Sequence, residues 1–405
     1  MWFQSILLSS LSMMGDQART QIPVYVFAPN PILSSGSKYG ESIRDHGDET
    51  NEELRLEMVQ VDMLVDMHDD VVYLSDSFLQ LVNLSSPNER VDGFQRGNIR
   101  ADRSLSSFES VSCVYHIRRF QSYLRSLGFG HLIKPIRIDP KALGGSDHSR
   151  YNSAKDPPTI EFGVGGVDDA EDAQVVIHEY MHAMLNEALA ADRKNSAAIS
   201  FEEAVCDHFC LRYSEEITGK TDDRVFSWDG HNEFWDGYTV RWHDLEIADP
   251  ACDETCQREK WLFLLRKLEG NLPSDLLDRS LLIFFSSQSI GTSHEQIAKQ
   301  FAAHIESGLQ LVLRPILIQH GFLKPETEGQ IRKLYANGDV LHLKDLELFE
   351  AADLLHINGS PIQRLELDGS PFLPLPIDKT GHYLLRLTNE TQFPKKEEWY
   401  YLIVF

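Results

Sequence analysis

The period of apolar and polar positions changes several times along the chain, and each change predicts a different kind of element. Ile22-Pro-Val-Tyr-Val-Phe27 and Asp70-Val-Val-Tyr-Leu74 are β-branched and aromatic runs bounded by turn residues, which predicts strands. Asn30-Pro31 and Ser34-Ser-Gly-Ser37 predict loops, and the polar stretch from Glu41 to Asn51 predicts a mobile one. From Phe108 to Leu127 apolar residues stand at 108, 111, 114, 115, 120, 124 and 127 among others, a helical period. Ile136-Arg-Ile138 and Thr159-Ile-Glu-Phe162 fit strands. From Gln257 to Gly321 the pattern is helical, with Phe301-Ala-Ala-His-Ile305 in one such segment. Tyr383–Leu387 and Trp399–Phe405 are strand-like again, with Gly359, Gly369 and Gly381 as punctuation. There is no internal repeat and no low-complexity tract. The expected class is α+β. Four regions are expected: a β-rich 1–105, a central lobe over 106–220, a mainly helical 221–335 and a small β module over 336–405.

Charge narrows the set of partners. The 405 residues carry a formal net charge of −24. Nucleic acid and anionic membrane surfaces both require basic protein surface, so neither is an expected partner. No run approaches the ~20 apolar residues of a membrane-spanning helix. The stretch Met1–Met14 is mildly apolar but has no basic residue before Arg19, a poor fit to a signal peptide. The compartment stays open.

Chemistry concentrates in Val176-Ile-His-Glu-Tyr-Met-His-Ala-Met-Leu185. Residues four apart lie one above the other on a helix, so His178 and His182 can present two imidazoles to one metal ion. Glu179 can reach a water on that metal as general base. Asp168, Asp169, Glu171 and Asp172 precede this run, and acidic residues suit a helix N-terminus. A catalytic zinc needs a third protein ligand and one open position. In Phe201-Glu-Glu-Ala-Val-Cys-Asp207, Glu203 and Asp207 share a helix face. Glu203 is the preferred ligand over Glu202, because only Glu203 has a carboxylate four positions later. Asp207 can then accept a hydrogen bond from the far nitrogen of a ligating histidine, His178 being the expected one. Five cysteines leave at least one unpaired. Cys252 and Cys256 can close a small disulfide. Cys206 and Cys210 lie near the Glu203 face, as buried apolar groups or as thiols near the metal. A four-cysteine zinc site from the two pairs is a further alternative.

His-Glu-Tyr-Met-His followed by Glu-Ala-Val-Cys-Asp resembles the thermolysin-like zinc metallopeptidases and the related fungalysins. Val114–Phe129 is similar to the family helix that precedes the active-site sheet, and Tyr151–Gly163 to its edge-strand region. Trp261–Leu268 resembles the start of its helical lobe. The resemblance spans about residues 105–320 and is most specific around the metal motif. It implies a β-rich N-terminal lobe, an active-site helix and a helical lobe, and a zinc endopeptidase acting on peptide or protein substrates. It maps substrate-peptide binding onto Asn152 and Ser153. It also implies secretion and calcium binding, for which Asp168, Asp169, Asp172 and Glu202 are candidates. The chain departs from the family in two places. The run Cys252–Lys260 lacks the histidine that steadies the transition state, for which His231 and His243 are the substitutes. No tyrosine lies between His182 and Glu203. Two rivals follow: a zinc-binding pseudopeptidase, and a non-enzymatic β-rich interaction protein.

Overall fold

The structure, a computed structural model, describes residues 19–404 apart from 46, 48, 86–88, 100–102, 189–194, 231–236, 244–246, 248, 250, 271, 288–289, 306–312, 315, 324–331, 337–339, 343–350, 357–360, 368–371, 375–380 and 390–395. It is an α+β protein with several small sheets. Two compact units are present. One comprises the chain up to Ala188 with Val205–Val240, the other Leu189–Ala204 with Arg241 onward.

The first unit opens with β1 (Arg19–Phe27), α1 (Pro31–Ser35), α2 (Glu52–Glu57), β2 (Met58–His68), β3 (Val71–Tyr73), β4 (Leu79–Leu81) and β5 (Phe94–Gln95). In β1 the inward positions Ile22, Val24 and Val26 alternate with more exposed ones, as a strand with one buried face requires. β1 pairs antiparallel with β2, Val24 opposite Val61, in a sheet ordered β1-β2-β3-β5. The expected loop at Asn30–Pro31 is instead the start of α1. Asn30 Oδ1 accepts from the Leu33 N–H at 2.9 Å, Pro31 opens the helix and Gly36 closes it at φ 72°. Asn, Pro and Gly punctuate loops, but in this order they also cap a one-turn helix.

Next come α3 (Phe108–Ser126), β6 (Ile136–Asp139), β7 (Arg150–Asn152), β8 (Thr159–Glu161), α4 (Ala173–Ala188), α5 (Ser196–Thr218), β9 (Arg224–Val225) and β10 (Tyr238–Thr239). β4, β6 and β8 run parallel, and β7 adds antiparallel to β8 at the edge. α5 is one uninterrupted helix, counted in the second unit through Ala204 and in the first thereafter. α3 buries polar as well as apolar positions, so its polar groups need partners. His116 has them on both ring nitrogens: Nε2 donates to the Phe27 carbonyl at 2.8 Å, and Nδ1 accepts from the Tyr213 hydroxyl at 2.7 Å. This bond chain joins β1, α3 and α5.

The second unit holds α6 (Glu254–Glu269), α7 (Ser274–Ser287) and α8 (His294–His304). Asp253 caps α6, and Cys252 and Cys256 form a disulfide beside that cap. Phe201 packs between Trp261 and Phe285, at ring distances of 4.5 and 5.5 Å, which fixes the first half of α5. The remaining strands are β11 (Arg332–Ala336), β12 (Val340–His342), β13 (Ala351–His356), β14 (Pro361–Glu366), β15 (Phe372–Pro374), β16 (Gly381–Asn389) and β17 (Lys396–Val404). They make a five-stranded sheet ordered β11-β17-β16-β13-β14, with β12 and β15 as a separate pair. No helix among the described residues is long and apolar enough to cross a membrane.

Burial lowers the pKa of His116 to about 3. A free imidazole titrates near ~6.5. The unfolded chain therefore takes up a proton that the folded chain refuses as pH falls through that window. The contribution of His116 to stability is complete above about pH 6.5 and declines toward pH 3. His116→Gln, which can keep a donor for Phe27, should flatten this part of the pH dependence. Urea midpoints compared at about pH 7 and about pH 4 check it. Equal midpoint losses in the two proteins would contradict it.

Candidate metal centre

α4 is apolar nearly all round, and such helices are buried. Val175, Val176, Ile177, Tyr180, Met181, Ala183, Met184 and Leu185 are all inaccessible or nearly so. Its start is set by Asp172. The Asp172 carbonyl accepts from the Val176 N–H at 3.0 Å and its carboxylate from the Gln174 N–H at 2.9 Å. The same carboxylate accepts from Asn30 Nδ2, the Trp228 N–H and the Asp229 N–H. Farther along, Gln121 Nε2 donates to the Tyr180 hydroxyl and ties α4 to α3. The helix therefore has little freedom to rotate.

His178 and His182 face one another across one turn. Their Nε2 atoms are 3.0 Å apart. His178 Nδ1 lies 3.0 Å from Asp207 Oδ1. A carboxylate accepts, so the proton sits on Nδ1 and the Nε2 lone pair is exposed toward His182. On the other ring, Cys206 Sγ lies 3.6 Å from His182 Nδ1. The Tyr238 hydroxyl donates to the second oxygen of Asp207. Phe226 stands edge-on to His178 at 5.2 Å and does so with φ 55°, a conformation that bulky side chains avoid.

Glu203 completes the group. His178, His182 and Glu203 each offer one ligand atom, and these atoms lie within 4.8 Å of one another. Glu202 is not in the group. Zinc bonds of ~2.0–2.1 Å in a tetrahedron place neighbouring ligand atoms roughly 3.3 Å apart. The 3.0 Å between the two nitrogens is close to that. Two lone pairs at that distance repel unless a proton or a cation lies between them. Two imidazoles and one carboxylate are a donor set that suits zinc. Arg258 Nη1 lies 3.8 Å from Glu203 Oε2. Glu179 follows His178 on α4 and is equally buried.

Asn152 ends the edge strand β7, and its Oδ1 accepts from the Ala154 N–H at 3.2 Å. Ser153 is exposed in the turn that follows. Asn186 Nδ2 donates to the Tyr151 hydroxyl, joining this edge to α4. His231 lies outside the described residues. His243 is paired with Glu259 Oε2 at 2.5 Å and is not one of the three metal-binding candidates.

One expectation is corrected. Cys252 and Cys256 are bonded to each other and offer no thiolates, which removes the four-cysteine zinc site. Cys210 is buried, donates to the Gln174 carbonyl, and has its thiol pKa pushed up to about 12 by burial. Of Asp168, Asp169, Asp172 and Glu202, only Asp169 belongs to a carboxylate group with metal-binding geometry, and its companions are Asp147 and Asp229. Asp172 is committed to the start of α4. Tyr238 carries no sequence signal, because β10 is a two-residue strand far from both motifs. No family model matches the chain, and no curated protein matches it.

Removing Asp207 should free the His178 ring to turn and expose Tyr238 to an unmet hydrogen bond. Asp207→Ala is expected to weaken zinc binding by ~10- to 100-fold. Competitive chelator titration of the two proteins measures it. Unchanged affinity would mean that the His178–Asp207 contact does not serve the metal.

Proposed function

We propose that the chain is a zinc-dependent endopeptidase with a thermolysin-like arrangement. The observation that carries this reading is that His178, His182 and Glu203 each offer a ligand atom within 4.8 Å of the other two. His178, His182 and Glu203 would hold the ion, with Asp207 and Cys206 steadying the two imidazoles from behind. Zinc, when bound, lowers the pKa of a water toward neutrality and polarises a carbonyl. Glu179 would take the proton of the attacking water and pass it to the leaving amine nitrogen. The edge of β7 would take the substrate as an added strand through main-chain hydrogen bonds, with Asn152 and the Ser153 backbone at its end.

A second reading, a zinc-binding pseudopeptidase, is favoured by one observation. His243, one of the two histidines offered as transition-state donors, is occupied by Glu259. Losing one such donor typically costs about a hundredfold or more in turnover. Turnover of casein that disappears with a chelator and returns with zinc favours the peptidase. Zinc binding with no turnover favours the second reading.

Glu179→Gln keeps the size of the side chain and removes the base. The variant is expected to hold zinc as the parent does and to lose hydrolysis by at least ~100-fold. Metal content and casein turnover, measured on the same preparations, check both halves. Equal turnover would remove Glu179 as the base.

A further inference from the structure

A cavity of about 270 Å³ opens in the first unit, where the start of β1, the far half of β2, the turn before β4 and the last turns of α3 meet. Arg118 of α3 builds its frame. The guanidinium donates to the Leu64 carbonyl at 2.8 Å, to the Leu74 carbonyl at 2.7 Å and to Asp76 Oδ2 at 2.9 Å. The other Asp76 oxygen accepts from the Phe78 N–H at 2.8 Å and the Leu79 N–H at 3.0 Å. One arginine and one aspartate thus lock a strand, a turn and a helix around the space, and their charges match each other.

Two further charged groups on the wall are less well matched. Asp66 Oδ1 is shielded from solvent and has no hydrogen-bond partner. Arg19 Nε, on the paired strand, stands 3.6 Å from it, near enough for attraction and too far for a hydrogen bond. A buried carboxylate oxygen without a donor costs free energy, so this atom calls for an N–H from elsewhere. Arg125 is the opposite case. Its guanidinium reaches Gln121 Oε1 at 3.5 Å, longer than an ordinary hydrogen bond, and the Gln121 amide is itself turned to Tyr180. Gly130 leaves room for the Arg125 stem, since a Cβ there would stand 3.1 Å from Arg125 Cγ. The wall holds three arginines against two aspartates, so one cation is in excess within a chain of net charge −24. Apolar surface completes it: Leu64 and Phe78 line the cavity and are 45% and 39% exposed.

We propose that this cavity binds a small zwitterion, with its ammonium on Asp66, its carboxylate on Arg125 and an apolar side chain against Leu64 and Phe78. An ammonium supplies the donor that Asp66 Oδ1 lacks, and a carboxylate matches the planar fork of Arg125. A simple anion would leave Asp66 Oδ1 unmet. A simple cation would leave Arg125 unmatched. Size narrows the class. Sites for drug-sized ligands run roughly 300–1,000 Å³, and this cavity falls below that range. A single apolar α-amino acid, such as leucine, fits it better than a peptide. None of these residues belongs to the candidate metal centre, so the site stands apart from the proposed function.

The test is calorimetric titration of the full chain with a chelator present, because leucine can also ligate zinc. Titrations at two temperatures prevent a vanishing enthalpy from hiding the binding. L-Leucine is expected to bind at one site with a Kd at or below about 1 mM. Leucinamide lacks the carboxylate and N-acetyl-leucine lacks the ammonium, and each should bind at least about tenfold more weakly. Leucyl-leucine should also bind more weakly than leucine. Arg125→Gln, a change at an exposed position, is expected to weaken leucine by about tenfold and to leave leucinamide unchanged. Loss of stability alone would not produce that pattern. No binding of leucine would mean that water meets Asp66, and would overturn the site. N-acetyl-leucine as tight as leucine would reduce the site to an anion pocket, and would overturn the zwitterion. Leucyl-leucine tighter than leucine would overturn the assignment to a single amino acid.

Discussion

The hydrogen bond between His178 Nδ1 and Asp207 Oδ1 is the contact on which the candidate centre depends. It selects the tautomer of His178, and so decides which nitrogen faces His182. It also locks α4 against α5, so that Glu203, one turn before Asp207, approaches the two imidazoles. Asp207 is fully buried, and a buried carboxylate without donors is costly. Its second oxygen is taken by Tyr238, which draws β10 to the same point. With both oxygens occupied, Asp207 has a single orientation, and that orientation is transmitted to the ring.

The other end of α4 is fixed by the same kind of physics. Asp172 is also fully buried and accepts from Asn30, Gln174, Trp228 and Asp229. One capping carboxylate thus joins the segment after β1, the first turn of α4 and the turn after β9. Between these anchors the helix is surrounded by apolar side chains. A buried helix pinned by carboxylates at its start and at its first histidine has its histidine-bearing turn preorganised, which ligation would demand.

Much of this was legible in the sequence where the signal is local. His178 and His182 are four apart, as are Glu203 and Asp207, and helical geometry converts each spacing into a shared face. The strands β1, β6, β8 and β16 and the helix α3 follow from alternation and from a 3.6-residue period. What was illegible is non-local or ambiguous. Asn30-Pro31 through Gly36 reads as a loop because capping residues are also turn residues, and only φ and ψ separate the two. Tyr238 reaches Asp207 through a two-residue strand with no pattern of its own. Asp147, Asp169 and Asp229 are brought together by loop packing that glycines permit, so no spacing announces them. Adjacency does not gather carboxylates either: Asp169 turns to Ser149 and Asp172 to Asn30.

Zinc K-edge X-ray absorption on the zinc-loaded chain tests the central claim most directly. The account predicts only nitrogen and oxygen ligands at ~2.0–2.2 Å, with the scattering signature of two imidazoles and no sulfur. Cys206, 3.6 Å from the far nitrogen of His182, would then remain outside the coordination shell. A sulfur shell at ~2.3 Å, or a single imidazole, would contradict a centre built from His178, His182 and Glu203.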